Sequence, residues 1–126
     1  MLFEADSFHL ARSLRATWTF LHTTASALPA IPSATEQTAL ANLLLALPVL
    51  YPCPHCRADF ASSVSAAGGE AAVREAVKSR SGAERWLWER HDEVNRKLGK
   101  EGAIGLDKVR ERWRDGPADG RCEMAW

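Results

Sequence analysis

The sequence predicts an all-α protein, a four-helix bundle of four main helices with one or two short additional ones. Three observations carry this prediction. Ala, Leu, Glu and Arg dominate the chain. Apolar residues recur at spacings of three and four, and no segment shows the strict alternation of a half-buried strand. At 126 residues, without repeats or low-complexity tracts, the chain has the size of one domain. Residues 1–126 are therefore taken as a single domain, with 1–14 a lead-in and 114–126 an irregular tail.

The elements follow in order. Phe8, Ala11, Leu14, Trp18, Leu21, Ala25 and Leu28 form one face of a helix from Ser7 to about Leu28, ended by Pro29 and Pro32. Ser33 and Glu36 form a capping box that opens a second helix toward Leu47, where Pro48 is expected to stop or kink it. A third begins at Cys53 and runs to about Val64. The stretch SAAGGE reads as a loop, and EAAVREAVK as a short fourth element. Ser81 and Glu84 resemble a second capping box, starting a long helix that ends near Lys100 with Gly99 as its punctuation. A last short helix covers LDKVRERW.

Composition excludes several classes of function. Sixteen basic residues balance sixteen acidic ones, so no net field attracts nucleic acid or an anionic membrane. The most apolar run, ALANLLLALPVLYP, is broken by Asn42 and Pro48 and is too short to span a bilayer. The N-terminal stretch carries Glu4 and Asp6 where a secretory leader would be basic, so no signal peptide is expected there. Three cysteines are too few for a disulfide scaffold, and a close pair among them points to function at the pair.

That pair lies in LYPCPHCRADF, as Cys53-Pro54-His55-Cys56. At a helix N-terminus the dipole and unpaired N–H groups favour a thiolate, lowering the pKa of the exposed cysteine, and His55 adds charge in the same sense. A redox dithiol is one reading. Zinc is another, with His9, His22, His55 and His91 as available further ligands, although no second CxxC or HxxxH completes the usual spacing. Two buried structural thiols are the third.

Polar residues interrupt two apolar stripes. On the long helix, Leu87, Trp88, Val94 and Leu98 share a face with His91 and Asn95; on the first, Arg15 and His22 flank Leu14, Trp18 and Leu21. Each histidine alone reads as a hydrogen-bonded core residue. Two such stripes together fit a large planar polar ligand held between helices.

RATWTFLHT, YPCPHC, HDEVNRKLGK and VRERWRDG, in this order, resemble the Erv/ALR family of FAD-dependent sulfhydryl oxidases over roughly Arg15 to Cys122. The resemblance implies a helical bundle holding FAD within it, usually a homodimer. It implies oxidation of protein thiols or small dithiols, with electrons passed through FAD to oxygen or cytochrome c. It makes Cys56 the cysteine nearest the flavin ring and Cys53 the one exchanging with incoming thiols. Arg15, Trp18, His22 and Tyr51 match flavin-contacting motifs, with Pro52 in the step before the dithiol. His91, Val94, Asn95, Leu98 and Lys100, with Lys97 among them, match the stretch around the adenine and ribose, and Trp113 a later aromatic contact. By analogy the compartment is the mitochondrial intermembrane space, with the secretory pathway or a virus-related assembly as alternatives.

The chain departs from the family's pattern in three places. A structural disulfide often joins the CxxC helix to the next long helix, and Ser65 and Trp88 stand at the matching positions. Lower thermal stability is expected, partly offset by burial of Trp88. Asp92 replaces an asparagine and is expected to face solvent or pair with Arg96. A shuttle cysteine pair usually lies in a tail, where only Cys122 is found. A core fragment, a minimal form and a form borrowing a partner's thiols all fit that observation.

Overall fold

The computed structural model describes the backbone of residues 3–97, 99, 105–111 and 113, and side chains from residue 13 onward within that set save 109 and 110. Its helices are α1 (Phe3–Ser26), α2 (Ala34–Leu50), α3 (Pro54–Ala66), α4 (Gly69–Ala76), α5 (Arg80–Lys97) and α6 (Leu106–Arg110), with no strand among the described residues. The expected all-α bundle is what forms. The long helix α5 lies at its centre, packed against α1, α3, α4 and α6, while α2 packs on α3 and α4.

The core joins Trp18, Leu21 and Ala25 of α1 to Leu40, Ala41 and Leu44 of α2, Phe60 and Val64 of α3, Val73 and Val77, and Ala83, Trp86 and Leu87 of α5. Burying a side chain of this kind contributes about 1.5–3 kcal/mol. Buried or half-buried polar ties lock α5 to its neighbours. Ser26 Oγ donates to Glu84 Oε2 (3.0 Å) between α1 and α5, with both side chains buried. Ser63 Oγ donates to Glu93 Oε2 (2.6 Å) between α3 and α5. The Ser63–Glu93 tie spans the two helices that carry Ser65 and Trp88.

Several expectations are corrected. Pro48 does not stop α2, which runs two residues further to Leu50. The one donor it removes is the N–H that would meet the Leu44 carbonyl. The capping box Ser33–Glu36 forms, with Ser33 N–H to Glu36 Oε1 at 2.8 Å and Glu36 N–H to Ser33 Oγ at 3.1 Å. The supposed box at Ser81–Glu84 does not. Ser79 Oγ receives the Gly82 N–H instead (2.9 Å), and Glu84 turns inward to Ser26.

Trp88, expected to be buried, is half-buried, and the buried tryptophan of α5 is Trp86. Trp86 lies one turn from both Ala83 and Arg90, so it shares the inward face set by Ala83, Leu87 and Arg90. The loop SAAGGE shrinks to a tight turn, because Gly68 and Gly69 take positive φ (107° and 65°) and let α4 start at once. Gly99 also has positive φ (73°), with its N–H on the Arg96 carbonyl, as expected of a helix terminator. Cys122 and the tail 114–126 lie outside the described residues.

Candidate functional site

The dithiol is built by the short link between α2 and α3. Cys53 is the N-cap of α3, with extended backbone (φ −79°, ψ 113°), and Pro54 supplies the first helical residue, where its missing N–H costs nothing. Cys53 Sγ accepts the Cys56 N–H at 3.3 Å, so a sulfur takes the capping role usually filled by an oxygen. Arg57 reaches back to donate to the Tyr51 carbonyl (2.9 Å), fastening the link to the helix that follows it.

Cys53 is buried, at 9% exposure, and Cys56 is the more exposed of the two free thiols. Burial, then the hydrogen bond with Cys53, push the Cys56 thiol up to about 11. The expectation that the exposed cysteine is lowered by the helix terminus is therefore corrected: the N–H that would stabilise a thiolate points at Cys53 Sγ, while Cys56 sits one turn into the helix. His55 is on the surface and pairs with Asp59 at 3.5 Å.

Cys56 opens onto a cleft of about 140 Å³ between α1, the end of α2, α3 and α5. Leu14, Thr17, Trp18 and Leu21 line one side, and Val94 and Lys97 the opposite one. Leu47, Tyr51, His55, Cys56, Asp59 and Phe60 complete it. A run of rings adjoins it. Trp18 stacks on His91 at 4.3 Å between centroids and 2° between planes, and His22 stacks on Trp113 at 5.5 Å and 10°. The two halves meet where His22 Nε2 and His91 Nδ1 share a hydrogen bond of 2.8 Å. Trp18 Nε1 and Tyr51 Oη, both buried on residues that line the cleft, have no hydrogen-bond partner among the described residues. Such groups cost free energy until an acceptor meets them.

Of the residues singled out from the sequence, Trp18, Tyr51, Cys56, Val94 and Lys97 line the cleft, and His22, His91 and Trp113 join Trp18 in the ring stack. Cys53 is beside Cys56 but not on the cleft wall. Arg15 is exposed on α1, and Asn95 is half-buried on α5 away from the lining. Leu98 and Lys100 lie outside the described residues. Asp92 pairs with Arg96 at 2.9 Å.

Sequence reasoning missed Phe60, His55 and Asp59 as cleft residues. Phe60 had a usable signal, since it falls one turn beyond Cys56, and it meets Trp18 edge-on at 6.4 Å and Trp86 at 6.2 Å. Arg90 gave none. It is buried over the Trp86 ring (5.5 Å) with Glu93 at 3.7 Å, where an arginine would be expected outside. Among the described residues no group of three or more His, Cys, Asp or Glu side chains converges to hold a metal ion.

The site is thus a pair of neighbouring cysteines, one of them opening onto an aromatic cleft inside a helical bundle. The chain belongs to the Erv1/Alr family, whose profile matches residues 15–114. It is 33% identical over 105 residues to the mitochondrial FAD-linked sulfhydryl oxidase ERV1 of Saccharomyces cerevisiae, covering 81% of this chain and 50% of that one. The FAD-linked sulfhydryl oxidase ERV1 of Arabidopsis thaliana is 33% identical over 99 residues, covering 79% and 48%. The chain thus spans about half the length of these relatives. The crystal structure of the FAD-binding domain of Erv1 from Saccharomyces cerevisiae superposes with a TM-score of 0.72 at 31% identity, covering 92% of this chain and 97% of that one.

Proposed function

We propose that this chain is a FAD-linked sulfhydryl oxidase domain that forms disulfides in substrate thiols through Cys53 and Cys56. The observation that carries the reading is the opening of Cys56 onto the cleft that Trp18 and Tyr51 line with unpartnered donors. Family membership and the names of the relatives support it.

The residues present fit a flavin nucleotide. Trp18, Tyr51, Val94 and Lys97 would bound the part nearest Cys56, and His22, His91 and Trp113 offer flat faces for the rest. Arg15, Asn95, Leu98 and Lys100 join this set by resemblance alone. When bound, FAD would supply the redox link from the dithiol to a terminal acceptor.

The remaining work belongs to the chain. Cys53 exchanges with the incoming thiol, and the S–S bond to Cys56 breaks. Burial favours the thiol form of the released Cys56, so its proton must leave before or as its electrons pass to a bound acceptor. Cys53 Sγ, fixed by the Cys56 N–H, is the sulfur placed to close the bond again. Oxygen or cytochrome c is the proposed terminal acceptor. Because two of the relatives are named as mitochondrial proteins, mitochondria are the compartment by analogy, and the intermembrane space is the finer proposal. No helix among the described residues is long and apolar enough to cross a membrane.

A homodimer is also proposed. Helix α2 is apolar almost all round, yet only Leu40, Ala41 and Leu44 are buried within the chain, and Val49 and Leu50 are 70% and 72% exposed.

The testing experiment is the visible spectrum of the purified protein before and after a dithiol is added in air. Yellow protein that bleaches and recovers as oxygen is consumed is the expected result. Cys53→Ser and Cys56→Ser variants should stay folded and yellow but lose thiol oxidation. A colourless protein that FAD cannot reconstitute would overturn the reading.

A further inference from the structure

Cys56 shares its cleft with two groups the mechanism above does not use. His55 and Asp59 line it from the same helix, and His55 Nε2 is 3.5 Å from Asp59 Oδ2. Asp59 is one turn after Cys56, so its carboxylate lies over the same helical face as the sulfur. The other walls are nearly free of charge. Helix α1 contributes Leu14, Thr17, Trp18 and Leu21, and α2 contributes Leu47. From α5 comes Lys97, which Glu93 holds at 3.8 Å. The phenol of Tyr51 and the thiol of Cys53 are the other titratable neighbours, and Arg57 is turned away onto the Tyr51 carbonyl.

We propose that the His55–Asp59 pair acts as an adjustable charge beside the dithiol, dividing its reactivity between the incoming thiol and the cofactor. The proposal rests on the sulfhydryl-oxidase reading for what the dithiol serves, though the charge effect itself needs no cofactor. When a substrate thiolate attacks Cys53 Sγ, a new S–S bond forms there. The Cys53–Cys56 bond breaks, and its electron pair leaves on Cys56 Sγ, which then takes a proton from water. A second substrate thiolate displaces Cys53, so the substrate pair loses two electrons and the Cys53–Cys56 pair gains them with two protons. On the return, the S–S bond of Cys53 and Cys56 re-forms, two electrons pass to a flavin-class acceptor, and the two protons are released.

A negative charge near Cys56 makes it a poorer leaving group in the first half and a stronger electron donor in the second. A positive charge does the reverse. The Asp59 carboxylate acts in the first sense, adding to the burial that already raises the Cys56 thiol. A charged imidazole at His55, 3.5 Å from that carboxylate, would cancel it. His55 is 89% exposed and Asp59 41%, so solvent screens the effect to a modest size.

The test uses the full chain with Asp59→Asn and His55→Gln, both exposed positions, and a circular dichroism check that each stays helical. Reduction of the Cys53–Cys56 disulfide by a small dithiol is timed separately from reduction of the bound flavin, across pH. For Asp59→Asn, disulfide reduction should be about two- to threefold faster than in the parent wherever the carboxylate is ionised, with or without a charged imidazole beside it. For His55→Gln it should be slower in acid and converge above neutrality. Flavin reduction should move in the opposite direction in each case, and high salt should flatten all these ratios.

In a Cys53→Ser background, thiolate absorbance should show Asp59→Asn lowering the Cys56 midpoint by roughly half a unit. An Asp59→Asn ratio of one at low salt, together with an unmoved Cys56 midpoint, would overturn the proposal, and so would a His55→Gln ratio that does not vary with pH. If the protein carries no flavin, the disulfide and thiolate arms still decide the charge effect, so its failure and that of the oxidase reading remain distinguishable.

Discussion

His22 Nε2 and His91 Nδ1 lie 2.8 Å apart, joining α1 to α5 through two imidazoles that each carry a tryptophan on an outer face. A bond of this kind needs an N–H on one ring and a lone pair on the other. Replacing either histidine by alanine removes a bond of roughly 1–1.5 kcal/mol and one surface of the stack. The expected outcome is flavin binding weakened about tenfold, measured by fluorescence titration of the apoprotein.

Ser63 and Glu93 hold α3 to α5 with a 2.6 Å bond to a carboxylate. Ser63 is buried, so Ser63→Ala should cost roughly 1.5–3 kcal/mol in a urea melt. Glu93→Gln keeps an acceptor oxygen and should cost less. Equal losses would show that the seam depends on the Glu93 charge rather than on the hydrogen bond.

Gly82 has no room for a methyl group, because a Cβ there would collide with the Ala76 carbonyl oxygen as α5 leaves α4. Backbone cannot yield as a flexible side chain can, so Gly82→Ala is expected to destabilise the fold by about 1–3 kcal/mol despite alanine's better helix propensity. Gly69→Ala supplies the contrast: nothing crowds that position, and only its positive φ is strained.

Because burial and Cys53 raise the Cys56 thiol from 9.0 to about 11, its neutral form is favoured by folding. The linked stability of the reduced protein is fully present below pH 9.0 and is lost as the pH rises through about 11. Thermal melts of reduced protein should show a decline across that window which Cys56→Ser flattens. Alkylation of Cys56 should likewise keep accelerating up to about pH 11.

Val49 and Leu50 leave a wet apolar end on α2. Val49→Glu should convert a dimer to monomers by light scattering without loss of helix content. Monomeric parent protein at micromolar concentration would remove the dimer from the reading.

Much of this was legible in the sequence because helices write their inward face at fixed spacing. Trp18, Leu21 and Ala25 were placed by periodicity alone, and the Ser33 cap and Gly99 stop by local chemistry. The failures share a cause: a local signal lost to a tertiary one. Glu84 had the spacing of a capping box, yet Ser26 on a distant helix offered it a buried partner. Trp88 and Trp86 are equally apolar, and only the packing of α5 on α3 and α4 selects Trp86. The cleft was half visible. Its rings and sulfurs announced themselves, whereas Asp59 and His55 look like any solvated pair until the fold sets them beside Cys56.

Cys53 Sγ caps α3 and, on the function proposed above, is also an atom whose oxidation state changes in turnover. The helix and the dithiol therefore share one thermodynamic cycle. Whatever the cap contributes differently to the oxidised and reduced forms must reappear as a shift in midpoint potential, and the reciprocal holds for melting temperature. Residues of α3 far from either sulfur thus tune the electrode as well as the scaffold, and a stabilising change in that helix is never redox-silent unless both forms gain equally.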